Sequence, residues 1–274
     1  MTRSILTLFL ILLMATCTVS SWAALGDVAI FSEGSGWISK DNADIQRAIV
    51  FEDLKGIVPS VGDVVYQTDA EIGPWAESRI DDGVADVLII FGWFPTTLYT
   101  PGNSQVDDSI AERFIYGGNI ILNCADYIFY VTEGGGANGE NGLKTIININ
   151  ADMWGDGTQI TPTADGEEYT PTLGEFTSNR PFKSEQIVDP WSVEAAFGDN
   201  GAGFFDPGII KLNDSSGRVG ICMQEGNNGE LPRGQILIEM IDFISQQPDM
   251  LADSTPVEPT GKAAVTWGNI KSVR

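Results

Sequence analysis

The sequence predicts an α/β protein with a mostly parallel central sheet, and three observations carry that expectation. Strand-like and helix-like segments alternate from Gly26 to Val131. The strand segments are near-continuous apolar runs, the pattern of a sheet covered on both faces. A helical stretch ending at Tyr116 is followed by Gly117-Gly118, the ordinary stop signal of a helix.

Asp27 to Ser32 (DVAIFS) is the first strand. Asn42 to Val58 has helical spacing, with Ile45, Ile49, Leu54 and Ile57 as its inward residues. Asp63 to Thr68 is a second strand, and a helix runs from Asp69 or Ala70 to Asp82, interrupted by Gly73-Pro74. Asp86 to Phe91 (DVLIIF) is the third and clearest strand. Asp107 to Tyr116 is a helix, Asn119 to Cys124 a fourth strand, and Asp126 to Val131 opens another helix. Thr132 to Gly142 is a Gly-rich loop without the Gly-Lys-Ser/Thr ending of a phosphate loop. Residues 143–205 show short alternating patches among turn formers, so they are expected to be irregular structure with short strands, and 132–205 an insertion or lid over one end of the sheet. Pro207 to Leu212 and Arg218 to Met223 are paired strands about the turn Asn213–Gly217. A last helix, Gln235 to Ile244, buries Leu237, Met240, Ile241 and Ile244. The α/β domain thus spans 26–245, and the Pro/Thr-rich stretch 246–274 is a linker and tail.

The chain begins with Arg3, an apolar run from Ile5 to Ala15, and small residues at Ser21 and Ala23. This is the pattern of a secretory signal peptide over 1–23, which places the mature protein outside the cytoplasm, secreted or periplasmic. The run is too short for a membrane span, and no other stretch is long and apolar enough for one. There are 38 acids against 15 bases in 274 residues. Such a surface repels nucleic acid backbones and anionic membranes, so neither is an expected partner. Cations, neutral sugars and basic proteins remain. Beyond the signal peptide only Cys124 and Cys222 are left, a possible disulfide or two small core residues.

Three stretches resemble the class I glutamine amidotransferase-like superfamily, especially its trehalose-utilisation (ThuA-like) branch. They are Asp86–Gly92 (DVLIIFG), Phe114–Leu122 (FIYGGNIIL) and Gly217–Ile221 (GRVGI). The resemblance implies a flavodoxin-like three-layer sandwich over most of 26–245. It does not imply the family's chemistry. The amidotransferase nucleophile is a Cys in a Gly-x-Cys-x-Gly elbow, activated by a His. Here Cys124 has Leu122 and Asp126 where the elbow has glycines, and the chain contains no His. Where the trehalose-utilisation branch has a His after the Gly-Arg-Val strand, this sequence reads Cys222-Met-Gln-Glu225. The tail also resembles short Trp-Gly-x-Ile-Lys segments that precede sorting domains in secreted bacterial proteins.

Absence of His also removes Ser-His-Asp triads and His-based zinc sites. Carboxylate chemistry or hard-cation binding is what remains. Asn148–Gly157 and Asn227–Glu230 are rich in oxygen ligands, but neither fits the twelve-residue calcium loop, so no metal and no cofactor is expected. In an open parallel sheet, ligands bind beyond the carboxyl ends of the strands. The residues that fall there are Glu33, Trp37, Asp69, Trp93, Phe94 and Asp126, with Gln224 and Glu225 after the late strand. Flat aromatics with carboxylates suit a neutral polyol, so this set is the expected binding site for a carbohydrate. Two readings follow: a non-catalytic binding protein, and a carboxylate-based extracellular glycan hydrolase. Against both stands the plain alternative that Asp69 and Asp126 cap helices and Trp93 is core.

Overall fold

A computed structural model describes residues 25–102, 108–125, 127–226 and 231–251. The expected signal peptide, Asp126 and nearly all of the tail lie outside these residues. In chain order, β1 (Leu25–Phe31), α1 (Lys40–Ile57), β2 (Val64–Tyr66), α2 (Asp69–Glu77), β3 (Ala85–Phe91), α3 (Ile110–Tyr116) and β4 (Ile120–Cys124) alternate as the sequence predicts. After α4 (Asn141–Ile147) come β5 (Thr158–Pro162), α5 (Ala164–Tyr169), β6 (Phe176–Ser178), β7 (Phe182–Lys183), β8 (Trp191–Ala196), β9 (Gly198–Asp199) and β10 (Phe204–Phe205). The described chain closes with β11 (Gly208–Leu212), β12 (Arg218–Cys222), α6 (Arg233–Ser245) and α7 (Pro248–Leu251).

The fold is mixed α/β. Seven strands form the main sheet in the order β2-β1-β3-β4-β12-β11-β8. The first five run parallel, β11 runs antiparallel beside β12, and β8 at the edge is antiparallel to β11 and so runs with the first five. Successive residues of the central strands point to opposite faces. Val28, Ile30, Val87, Ile89 and Leu122 pack with α1 and α6. Ala29, Phe31, Leu88, Ile90 and Ile121 pack with α2, α3 and α4. The strands are therefore apolar at every position because each face carries its own core.

The structure departs from the sequence reading in four places. In α1 the buried residues are Asn42, Ala43, Gln46, Val50 and Leu54, while Ile45 is 59% and Ile57 45% exposed. The cause is close approach to α6. Gly234 N donates to Gln46 Oε1 at 2.8 Å, and a Cβ on Gly234 would stand 2.5 Å from the Gln46 carbonyl oxygen. Small and amide side chains face that contact, and the bulky Ile45 is turned outward. Secondly, 127–131 is not helical. Phe129 has φ 62°, which interrupts a right-handed helix, and Asn138 N and Nδ2 bind the carbonyls of Tyr130 and Phe129. Thirdly, 143–205 holds the short strands expected of it, but in a regular arrangement. It holds a second, antiparallel sheet, β6-β5-β9-β10-β7, and it supplies β8 to the main sheet. Finally, the stretch after α6 starts with α7 rather than a linker. Buried Arg218 donates to both Glu194 oxygens at 2.6 Å and to both Asp249 oxygens at 3.0 Å, which ties β12, β8 and α7 together.

Cys124 and Cys222 are direct partners on neighbouring parallel strands, both fully buried and both free thiols. Burial pushes the Cys222 thiol well up, and the adjacent Cys124 adds to the rise, so Cys222 is held protonated and poorly nucleophilic.

Candidate functional site

A pocket of ≈ 160 Å³ is lined by Trp37, Tyr127, Tyr130, Trp154 and Arg180. Trp37 and the two tyrosines follow the carboxyl ends of β1 and β4 in the chain. Trp37 lies in the loop before α1, whose first turn is capped by Ser39 Oγ accepting from Asn42 N at 3.2 Å. Tyr127 and Tyr130 are the ends of one turn, closed by Tyr130 N donating to the Tyr127 carbonyl, and their rings sit 4.8 Å apart. The loop after α4 brings Trp154, edge-on to Tyr127 at 5.3 Å and to Tyr130 at 5.9 Å. Tyr127 Oη fixes that loop by accepting from Met153 N at 3.1 Å. Burial pushes the Tyr127 phenol far up, so it stays neutral. Gly155 lets the loop lie against the β6–β7 connection, since a Cβ there would stand 2.9 Å from Pro181. Beside Pro181, Arg180 lays its guanidinium 4.8 Å over Trp154 and 5.9 Å from the Tyr127 ring centre.

Three carboxylates surround these rings, and each has a cation. Glu140 pairs with Lys144 at 3.1 Å, Asp152 with Lys183, and Asp156 with Arg180. Glu140 also accepts from Trp154 Nε1 at 2.9 Å, and this bond, with Lys144, holds its carboxyl below the ordinary value. Burial pushes Asp152 up, but Lys183, Gln186 and the Trp154 N–H outweigh it and leave the carboxyl lowered. Among the described residues, these three carboxylates beside the pocket are each charge-compensated, on a chain whose net charge is −23.

Of the five described residues among the six expected from sequence, only Trp37 lines this pocket. Glu33 and Asp69 are tethers between loops. Glu33 Oε2 accepts from Asp69 N at 2.8 Å, and the Asp69 carboxylate accepts from Thr96 N and Oγ1 at 2.5 Å each. Asp69 is not the cap of α2. That role belongs to Thr68, whose N–H and hydroxyl donate to the Glu71 carboxylate at 3.1 and 2.8 Å. Trp93 is half-buried and lies on Gly36, where a Cβ would be 2.0 Å from the indole. Phe94 is 1% exposed and packs on Phe129 at 4.3 Å, so it belongs to the core and not to a binding surface. Asp126 lies outside the described residues. Gln224 is fully buried and donates to the Asn123 carbonyl at 3.0 Å, bracing β12 against β4.

Sequence reasoning missed Tyr127, Tyr130, Trp154, Arg180 and Glu133. Glu133 Oε2 is buried without a hydrogen-bond partner. Burial raises its carboxyl, and the nearby Asp69 and Glu33 raise it further. The signal for the pocket was present as Tyr-x-x-Tyr after the fourth strand and a Trp inside a turn-rich segment. Among the described residues no group of three or more His, Cys, Asp or Glu is arranged to hold a metal, and no helix is long and apolar enough to cross a membrane.

No protein-family model matches the chain, and no curated protein matches it. Among solved structures, one described as a ThuA-like protein from Bacteroides uniformis is similar with a TM-score of 0.46 and 9% sequence identity, over 84% of this chain and 95% of that chain.

Proposed function

We propose that this chain is an exported, non-catalytic carbohydrate-binding protein on an amidotransferase-like, three-layer scaffold, and that its ligand sits in the Trp37–Tyr127–Tyr130–Trp154–Arg180 pocket. The observation that carries the reading is the combination of four aromatic rings with locally cancelled charge. Aromatic faces stack against the C–H faces of a sugar ring, and polar tips bind its hydroxyls. Compensated carboxylates neither attract nor repel a neutral ligand at short range. Binding without turnover fits a chain that has no histidine to serve as base and whose Cys222 thiol is held protonated. Export rests on the signal-peptide pattern over 1–23.

The test is a glycan array followed by calorimetry. Trp154→Ala and Tyr130→Ala are expected to weaken any hit by about tenfold or more each, while Trp93→Ala, at a residue that packs on Gly36 beside Trp37 without lining the pocket, costs less than either. Loss of affinity in Trp93→Ala with none in Trp154→Ala would overturn the placement.

One observation favours the hydrolase reading. Glu133 has a carboxyl raised by burial, with Asp69 and Glu33 beside it, the environment that suits a general acid. In that case the purified protein cleaves a glycan, and Glu133→Gln abolishes cleavage while leaving binding intact. Absence of cleavage across the array's hits removes the reading.

A further inference from the structure

Three of the rings that line the pocket gather at one point and are not strung along a line. Trp154 stands 5.3 Å from Tyr127 and 5.9 Å from Tyr130, and the two tyrosines are 4.8 Å apart. No two of them share a plane. Trp154 is turned 74° from Tyr127 and 87° from Tyr130, and the tyrosines are 47° from each other. A face for the middle of a polysaccharide needs the opposite arrangement: rings set level along a strip, each stacking on the C–H face of one of several successive sugars. Here a sugar resting on one ring meets the next ring as a wall. The pocket also has a floor. Tyr127 is 2% exposed and Trp154 is 42% exposed, so the space runs inward from an open rim at Trp154 and stops at Tyr127. Four separate segments supply the walls: the loop before α1, the turn after β4, the loop after α4 and the β6–β7 connection. The volume of ≈ 160 Å³ is that of about five waters at ~30 Å³ each, room for one sugar ring, whereas sites for larger ligands start near ~300 Å³.

We propose that the pocket takes the single terminal residue of a glycan chain, with the rest of the chain leaving past Trp154 into solvent. The inference rests on the carbohydrate reading of the pocket and adds which part of a glycan is recognised. A mid-chain residue is bonded on both sides and needs a groove with two exits. A terminal residue needs one exit, and the rim at Trp154 provides it. Terminal and internal residues of one polymer carry the same charge, so the distinction is one of shape alone. Further residues of the chain lie outside the pocket, where holding them in place costs entropy and wet contacts return little, so affinity is set by the end.

The experiment is calorimetry with the monomer, dimer and hexamer of β-1,4-linked glucose, galactose, mannose and N-acetylglucosamine, on the wild type, Trp154→Ala and Tyr130→Ala. Thermal denaturation verifies that each variant is folded. In at least one series the hexamer is expected to bind the wild type within about fivefold of the dimer. Each variant weakens that binding by about tenfold or more. With the polymer of the same sugar, cutting the chains shorter at constant mass raises the protein bound at saturation in proportion to the ends created. A hexamer that gains more than this over the dimer, or a saturation level set by polymer mass whatever the chain length, overturns recognition of the end. The carbohydrate pocket then still stands on the losses in Trp154→Ala and Tyr130→Ala. Binding that both variants leave unchanged, or no binding in any of the four series, overturns the pocket reading and this inference together.

Discussion

Asp86 opens β3 with its side chain buried, one carboxylate oxygen accepting from Asp27 N at 2.6 Å and the other without a partner. Burial pushes its pKa up to about 6, with Asp82 and Asp27 adding to the rise and Arg79 opposing it. The unfolded chain titrates this group near 3.8. The native state therefore holds the proton more tightly, and the stabilisation this gives is complete below about pH 4 and lost as pH rises through about 6. Asp86→Asn, which removes the titration, is expected to flatten the fall in stability between pH 4 and 7 by about 2 kcal/mol relative to the wild type. Urea unfolding of both proteins at several pH values measures it, and parallel curves would refute the assignment. The same residue marks what a sequence hides. Asp86 stands at the head of a legible strand, but its burial follows from Gly26, where a Cβ would come within 2.4 Å of the Asp86 carboxylate. Proximity of residues sixty positions apart leaves no local pattern.

Elements were legible where a local periodicity or a stop signal defines them, and illegible where tertiary contact decides. The strands β1, β3, β4 and β12 read correctly because an apolar run buried on both faces needs no register to be recognised. In α1 the period was right and the face half right: Leu54 is buried and Ile49 packs against the core, while Ile45 and Ile57 turn outward. Counting only large aliphatics put Ile45 inward, whereas the contact with α6 selects Ala43, Gln46 and Val50. Val50→Ala is accordingly expected to cost about 2 kcal/mol or more, and Ile45→Lys less than about 0.5 kcal/mol. Denaturant midpoints of the two variants separate the faces, and a reversed order would mean that the helix is turned the other way. The segment 127–131 was misread for a related reason. Its composition suits a helix, but left-handed Phe129 and the Asn138 hydrogen bonds fold it into the turn that presents Tyr127 and Tyr130. The misreading of that one turn cost two of the five pocket residues. Trp154 and Arg180 were lost because both come from the stretch read as irregular, whose short strands pair with each other and give no long repeat.

On the scale of the whole molecule, charge is the property that the sequence states most plainly, and the structure divides it unevenly. The net charge is −23, while Glu140, Asp152 and Asp156 around the pocket each face a Lys or Arg. These two facts respond differently to salt. Like charges spread over an exposed surface repel one another across many ångströms, and added salt screens that repulsion at a Debye length of about 8 Å near 0.15 M. Folding concentrates the acids, so screening is expected to stabilise the native state, and the melting temperature rises as NaCl increases from about 0.01 to 0.5 M. Binding of a neutral ligand in a compensated pocket moves no net charge, so its affinity stays within about twofold over the same range. Thermal melts and calorimetry on one preparation measure both. A melting temperature indifferent to salt would mean that the acidic surface is already relieved by bound cations. An affinity that climbs steeply with salt would mean that the ligand is repelled by acids the pocket has not compensated, and the assignment of a neutral ligand to Trp37, Tyr127, Tyr130 and Trp154 would then fail.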